Sequence, residues 1–411
     1  MDQPIKVCFW VTALQANVFS LAHYLSASPR FEVVVAAVNV SHYQKEPINR
    51  LYPLPCRLLE RDDKNTLKFL ERFQADVTVV DNHYPPAPLS RLLVNVWHGF
   101  GWRGPEDKSQ FKEVYRSIRR VTGRTPGEPN PALMWICAGE TSREYRIRVT
   151  GFHPANVWAT GQPYTDDMVC PKISKHSAIA FYPEQFAQRK ICLFAPTWHF
   201  GRIFSHWGED TAILAHLIDS VDEIGGALIL RLHDRKRFDA GYAAQLEAFG
   251  KRRNNVVVKF RDEHQDNLLD MTVADCMVSN YSSMLTFFYG TGKPSIHLYP
   301  FEKGREANRY RIWKRGKVRE KEAREPFGVW SLSPAEAGGP IACSVEETMH
   351  WIKAALADDT TGRQAARQFI EKHCAPYDGG RCKAIADLIQ ERVDRLHKED
   401  SSHQGSHGQA T

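Results

Sequence analysis

The chain has 411 residues, 43% hydrophobic and 25% charged, with a net charge of +6. That composition excludes a disordered chain and supplies apolar material for two or three cored domains. The mild positive charge favours anionic partners without choosing between phosphate, nucleic acid and lipid. Nine cysteines are scattered singly with no Cys-x-x-Cys pair, so neither a disulfide framework nor a zinc site is expected, and a reducing, cytoplasmic setting fits. No run approaches the roughly 20 apolar residues of a spanning helix. Met1-Asp2-Gln3-Pro4 lacks the basic start of a signal peptide, so any membrane contact is expected to be peripheral.

In chain order, strands are expected at Ile5 to Val11, Phe31 to Val38, Asp76 to Val80, Val94 to Trp97, Ala132 to Cys137 and Val157 to Ala159. Helices are expected at Asn17 to Ser26, Asn65 to Phe73 and Ser142 to Val149. A connector of mixed polarity covers about 164 to 189. A second series follows, with strands at Ile191 to Ala195, Ala227 to Leu232, Val256 to Phe260, Cys276 to Val278 and Ser295 to Leu298. Its helices are Ala212 to Val221, Tyr242 to Phe249, Ser282 to Tyr289, Ser344 to Ala357 and Gly379 to Leu396. Strands alternating with helices at this spacing predict α/β architecture, two Rossmann-like domains facing a cleft. The expected boundaries are 1–175, 176–395 and a disordered tail at 396–411, rich in Ser, His, Gly and Gln.

Four strand ends carry the chemistry, because ligands of open α/β sheets sit beyond the carboxyl ends of the strands. The first is Val96-Trp97-His98-Gly99-Phe100-Gly101-Trp102-Arg103-Gly104. It contains a literal G-x-G-x-x-G, but it follows a late strand and has Arg124 near the position of the acidic residue a dinucleotide site needs. A backbone cradle for phosphate or hydroxyl oxygens beside His98 fits better; taken alone, His98 also fits a satisfied strand-end histidine. The second is Pro196-Thr197-Trp198-His199, singly no more than a strand-to-loop turn. The third is Arg231-Leu232-His233-Asp234. Its two alternating basic residues fit an anion site or, equally, a salt-bridged strand end. The fourth is Asn280-Tyr281-Ser282-Ser283, where the serines would cap a helix whose first N–H groups can hold an anion.

Trp-His-Gly, Pro-Thr-Trp, Arg-x-His and Tyr-Ser-Ser in this order resemble the CDP-glycerol glycerophosphotransferase family, the teichoic-acid and capsule polymer synthases. Thr160-Gly161-Gln162-Pro163, Gly339-Pro340 and Tyr377-Asp378-Gly379-Gly380 match further family turns, so the resemblance covers about residues 80 to 395. The sequence departs from the family where Phe100-Gly101 replaces Thr-Pro, Tyr164 replaces Arg, Asp234 replaces Pro, Asn280 replaces Asp, and Phe287 replaces a further Asp. The resemblance implies the GT-B fold and a transferase moving a glycerol phosphate or related polyol phosphate from a CDP-linked donor to an acceptor hydroxyl, with release of CMP. It implies His98 and His233 as catalytic residues, His98 being the base at the acceptor. It also implies substrate contacts at Gly99, Phe100, Gly101, Arg103, Tyr164, Thr197, Trp198, Arg231, Asn280, Tyr281, Ser282 and Ser283.

The alternatives are a GT-B glycosyltransferase or nucleotide-sugar epimerase, and a non-catalytic nucleotide or polymer binder. No cofactor and no metal is expected, since no His/Cys/Asp/Glu cluster has ligand spacing. The expected partners are the CDP-linked polyol and a hydroxyl acceptor, lipid-linked or polymeric, with no nucleic acid. Lys303 to Glu325 holds ten basic and four acidic residues. This segment is read as an electrostatic contact with an anionic surface, whether membrane lipid at the inner face of the cell membrane, a lipid-linked acceptor or the growing phosphate polymer, against the plainer reading of a solvated surface loop.

Overall fold

The computed structural model describes residues 3–97, 99–104, 108–196, 203–204, 207–235, 238–280, 282–300, 309–314, 317–322 and 329–406. For 103–104, 309–314, 317–322, 329–330 and 400–406 only the backbone is described. The chain forms two compact units. Unit 1 is Met1–Phe100, Pro105–Cys170 and His373–Thr411; unit 2 is Gly101–Gly104 and Pro171–Lys372.

The strands are β1 (Ile5–Trp10), β2 (Phe31–Ala37), β3 (Arg57–Glu60), β4 (Val77–Val80), β5 (Leu92–Asn95), β6 (Arg103–Gly104), β7 (Leu133–Ile136) and β8 (Val157–Trp158). They continue as β9 (Lys190–Phe194), β10 (Gly226–Leu232), β11 (Val256–Phe260), β12 (Cys276–Ser279), β13 (Ser295–Leu298), β14 (Arg309–Lys314), β15 (Lys317–Glu322), β16 (Val329–Trp330) and β17 (Ile341–Ala342). Unit 1 holds a parallel sheet in the order β3-β2-β1-β4-β5-β7-β8. Unit 2 holds a parallel sheet in the order β11-β10-β9-β12-β13-β17.

The strands form where the sequence runs apolar without alternation, as strands buried on both faces do. β4, β5, β7, β10 and β12 are buried along their whole length. The strand order reverses at β1/β4 in unit 1 and at β9/β12 in unit 2. Such switch points open a crevice beyond the carboxyl edge.

The end of the chain differs from expectation. The helix Arg381–Ser406 belongs to unit 1 and runs into the segment read as a disordered tail, whose residues 407–411 lie outside the described residues. Its stripe Ile385, Ala386, Ile389 and Val393 is buried, a face the helix can bury only against a core. Its later turns carry i,i+4 partners, Gln390 with Asp394 and Arg395 with Glu391, each at 3.0 Å. The changeover near 175 lies at Cys170/Pro171, and the expected connector holds two short helices, Tyr164–Val169 and Lys175–Ile179. All nine cysteines are free thiols. Among the described residues no helix is long and apolar enough to cross a membrane.

Candidate functional site

In unit 1 the end of β5 is built by side chains that no motif announced. Asn95 is fully buried. Its Nδ2 donates to the Tyr84 hydroxyl at 2.9 Å, and its Oδ1 accepts from the Trp97 backbone N–H at 2.8 Å. Asn17, on the helix Ala16–Ser26, donates to the Val96 and Trp97 carbonyls at 3.4 Å and accepts from the Tyr164 backbone N–H at 3.1 Å. These bonds hold Trp97 in the left-handed region, φ 46°, where a bulky residue is strained. Arg146 is buried with its guanidinium over the rings of Phe111, Trp135, Trp97 and Phe152, at 4.6, 4.8, 5.4 and 5.9 Å. Its Nε and Nη1 have no hydrogen-bond partner among the described residues, so ring faces supply the compensation for its burial.

His98 itself lies outside the described residues. Gly99 and Gly101 take φ values of 134° and 69°, which only glycine adopts without strain. From Gly101 onward the motif changes unit. Gly101–Gly104 belongs to unit 2, where β6 pairs antiparallel with β16. Trp102 is buried there against His297 and Phe369, and its carbonyl accepts from Ser331 N at 2.9 Å. The Phe100 side chain is buried as well. The Arg103 side chain lies outside the described residues.

Tyr164 lies inside unit 1. Its ring is fully buried, because Tyr164 opens the helix Tyr164–Val169 and packs into unit 1. Two family motifs meet beside it. Arg381 Nη1 donates to the Thr160 carbonyl at 3.1 Å, and its guanidinium also pairs with Asp378. Asp166 accepts from the Arg381 and Cys382 backbone N–H groups at 2.9 and 2.7 Å, capping the last helix. Gly161 has φ 83°, and a Cβ there would stand 2.5 Å from the Arg381 side chain. The Gly-x-Pro turn and the Asp-Gly turn therefore fasten the terminal helix to unit 1.

In unit 2, β10, β9 and β12 are neighbours, so three of the four motifs end on one carboxyl edge, two of them at the switch point. Ser279 Oγ donates to the Ala195 carbonyl, and Ala195 N donates to Val278 O at 2.9 Å, tying β9 to β12 where both stop. Thr197, Trp198 and Tyr281 lie outside the described residues. Asn280 is fully buried. Ser282 caps the helix Ser283–Phe288, its hydroxyl accepting from Met284 N at 3.2 Å; Ser283 is the first helical residue rather than a cap.

His233 stands just past β10. Its Nδ1 accepts from the Asp234 backbone N–H at 2.7 Å, which places the neutral ring's proton on Nε2. Burial would raise the Asp234 carboxyl, but the Arg261 guanidinium, which donates to both its oxygens at 2.6 and 2.7 Å, holds it well below its ordinary value. Arg231 is engaged within the fold. Its Nη1 donates to Asp270 at 2.7 Å and its Nη2 to the His264 and Gln265 carbonyls at 2.8 and 3.3 Å. The strand ends at Leu232, so the alternation that put Arg231 and His233 on one face stops between them. Among the described residues no group of three His, Cys, Asp or Glu could hold a metal ion.

The family model of CDP-glycerol:poly(glycerophosphate) glycerophosphotransferase matches residues 90–391. The chain belongs to this family. It is a transferase of the CDP-glycerol glycerophosphotransferase family, in which cell-surface polymers are made. A sequence comparison with curated proteins returns no match. Among solved structures, the chain is similar to the wall teichoic acid polymerase TagF, with TM-score 0.67 and 14% identity over 95% of this chain and 89% of that one. A TagF variant soaked with CDPG matches with TM-score 0.66 and 13% identity over 96% and 90%. The UDP-GlcNAc 2-epimerase of Neisseria meningitidis, bound to UDP-GlcNAc, matches with TM-score 0.54 and 12% identity over 94% and 100%. At these identities the structural likenesses speak for the fold, two parallel-sheet α/β units.

Proposed function

We propose that the family reaction runs here with unit 1 on the acceptor side and unit 2 on the donor side. His98 takes the proton of an acceptor hydroxyl, whose oxygen attacks the phosphorus bearing the glycerol of CDP-glycerol. The bond from that phosphorus to the CMP oxygen breaks, CMP leaves with the electron pair, and a phosphodiester remains. The departing phosphate gathers charge, which an oriented donor stabilises most in the transition state. The observation that carries the donor half is the His233 tautomer, because a Nδ1 occupied by a backbone N–H makes Nε2–H the donor. Gly99, Gly101, Asn280 and the Ser282–Ser283 turn belong to the same reading, as do Thr197, Trp198, Tyr281 and Arg103.

The test is CMP release with a panel of CDP-polyols and identification of the product. A new phosphodiester supports the reading; free nucleoside diphosphate with a glycosidic bond overturns it. His233→Ala is expected to weaken CDP-glycerol binding about tenfold in calorimetry, the scale of one hydrogen bond to a charged group. His233→Gln, which keeps an N–H donor, is expected to recover part of that loss. Parent-like affinity in both variants removes His233 from the donor site.

The acceptor in this reading is a phosphate polymer or its lipid-linked primer at the inner face of the cell membrane, reached through the basic segment. Of that segment, 303–308, 315–316 and 323–325 lie outside the described residues. The described parts are the antiparallel pair β14 and β15. Its register puts positions 310, 312, 314, 317, 319 and 321 on one face, and these hold Tyr, Ile, Lys, Lys, Arg and Lys with no acid. On the other face, Arg309 and Arg311 stand opposite Glu322 and Glu320. A basic face of four charges at about 1 kcal/mol each suffices for reversible docking on an anionic leaflet. Changing Lys314, Lys317, Arg319 and Lys321 together to Gln is expected to abolish sedimentation with anionic vesicles at low salt. Equal sedimentation of parent and variant, or none by the parent, removes the membrane from the reading.

A further inference from the structure

The switch point of unit 1, between β1 and β4, carries none of the four motifs. It nonetheless holds a constructed cluster of polar side chains. Thr12 follows β1 and Asp81 follows β4. The Asp81 side chain is only 14% exposed. Its Oδ2 accepts from Thr12 N at 3.0 Å, and its Oδ1 accepts from Asn82 N and His83 N at 2.5 and 2.9 Å. The His83 ring is exposed, but its Nδ1 is engaged, 2.6 Å from Thr12 Oγ1 and 3.5 Å from Asp81 Oδ1. Arg61 lies at the same edge, its Nη1 donating to the Val11 carbonyl at 3.3 Å.

Burial would raise the Asp81 carboxyl, yet the hydrogen bonds from His83, Thr12 and Asn82 bring it down to about 2. An ionised carboxylate beside Nδ1 keeps the proton on that nitrogen. Nε2 then carries the lone pair and is the ring atom available to a ligand. A nitrogen that accepts, set on a fixed ring, suits a hydroxyl group. It does not suit a phosphate oxygen, which has no proton to give.

The place of His83 in the sheet follows from register. β4 and β5 are neighbours with Val80 paired to Asn95, so His83 follows the strand end beside the one that runs into Trp97. Neighbouring strands lie about 4.8 Å apart, a separation one small polyol can span. We propose that His83, with its ring fixed by Thr12 and Asp81, is a specificity residue whose Nε2 accepts a hydrogen bond from a second, non-attacking hydroxyl of the acceptor's terminal polyol. This inference rests on the reading of unit 1 as the acceptor side.

The test compares two synthetic acceptors with CDP-glycerol as donor. One ends in glycerol phosphate, with two free hydroxyls; the other ends in 1,3-propanediol phosphate, with one. The parent is expected to prefer the first by about tenfold in kcat/KM, as for one buried hydrogen bond. His83→Ala is expected to lose about tenfold on the glycerol acceptor through KM, to stay within about twofold on the propanediol acceptor, and to keep the parent's affinity for CDP-glycerol. Thr12→Val, which frees the ring, is expected to shrink the preference in the same direction. A His83→Ala variant that keeps the parent's preference, or that loses equally on both acceptors, overturns the inference and leaves the transferase reading intact. Absence of CMP release by the parent with either acceptor overturns the transferase reading, and the inference with it.

Discussion

Replacing His98 with alanine is expected to cut turnover at least a hundredfold while CDP-glycerol binding stays within about twofold of the parent. A general base contributes at least that factor, and donor affinity in this reading belongs to unit 2. The turn that leads into the position is held by several side chains. Trp97, the residue before it, is held at φ 46°. The Asn95 carboxamide, the Asn17 carboxamide and the Arg146 guanidinium all act on that turn. Strain of this kind costs of order 1–3 kcal/mol and persists where the surroundings over-determine it. The measurement is single-turnover CMP release beside calorimetry with CDP-glycerol. Turnover of His98→Ala within about tenfold of the parent removes the base assignment. Loss of donor affinity together with turnover would instead mean that the substitution disturbs the donor site.

How much of this was legible in the sequence depends on range. Most strands of both sheets were, because a strand buried on both faces is a short uninterrupted apolar run; β3 and β17, short and only partly buried, were not. β1, β9, β10 and β12 lie where those runs lie. Their carboxyl ends were legible for the same reason, since the apolar run stops at Trp97-His98, Pro196-Thr197 and Ser279-Asn280. The partners of those ends were not. Asn17 reaches β5 across 79 residues and Arg381 reaches Thr160 across 221, and no periodicity encodes such pairings. Tyr164 read as a substrate residue because it occupies a family position, and its complete burial was not legible from that position. Asp81-Asn82-His83 drew no notice because its significance lies in strand order. Only the adjacency of β1 and β4 turns a polar strand end into a crevice at a switch point.

The largest stability effect is expected from Asp270→Asn, and it bears on what Arg231 does. Asp270 is fully buried on the helix Leu268–Val273. It accepts from Arg231 Nη1 at 2.7 Å, Lys259 Nζ at 2.6 Å and the Tyr182 hydroxyl at 2.5 Å. Burial would raise its carboxyl, but Lys259 and Arg231 hold it below the ordinary carboxylate value. Asparagine keeps the shape and removes the charge, leaving two cations without their anion. Breaking a buried pair in this way costs about 3–5 kcal/mol. For a unit of this size that is a fall of about 6–20 °C in its melting transition.

The pH dependence has a definite sign, because the folded-state value is depressed. The contribution of Asp270 is fully present above its unfolded value near 3.9 and is lost as pH falls through the folded value below it. Parent and Asp270→Asn stabilities should therefore diverge at neutral pH and converge in acid. Replacing Asp270, Arg231 and Lys259 together with apolar residues of similar volume is expected to recover much of the loss. Arg231→Met should lower the melting temperature and leave the KM for CDP-glycerol nearly unchanged. A raised KM with parent-like melting would return Arg231 to the donor phosphates and overturn its assignment to the fold.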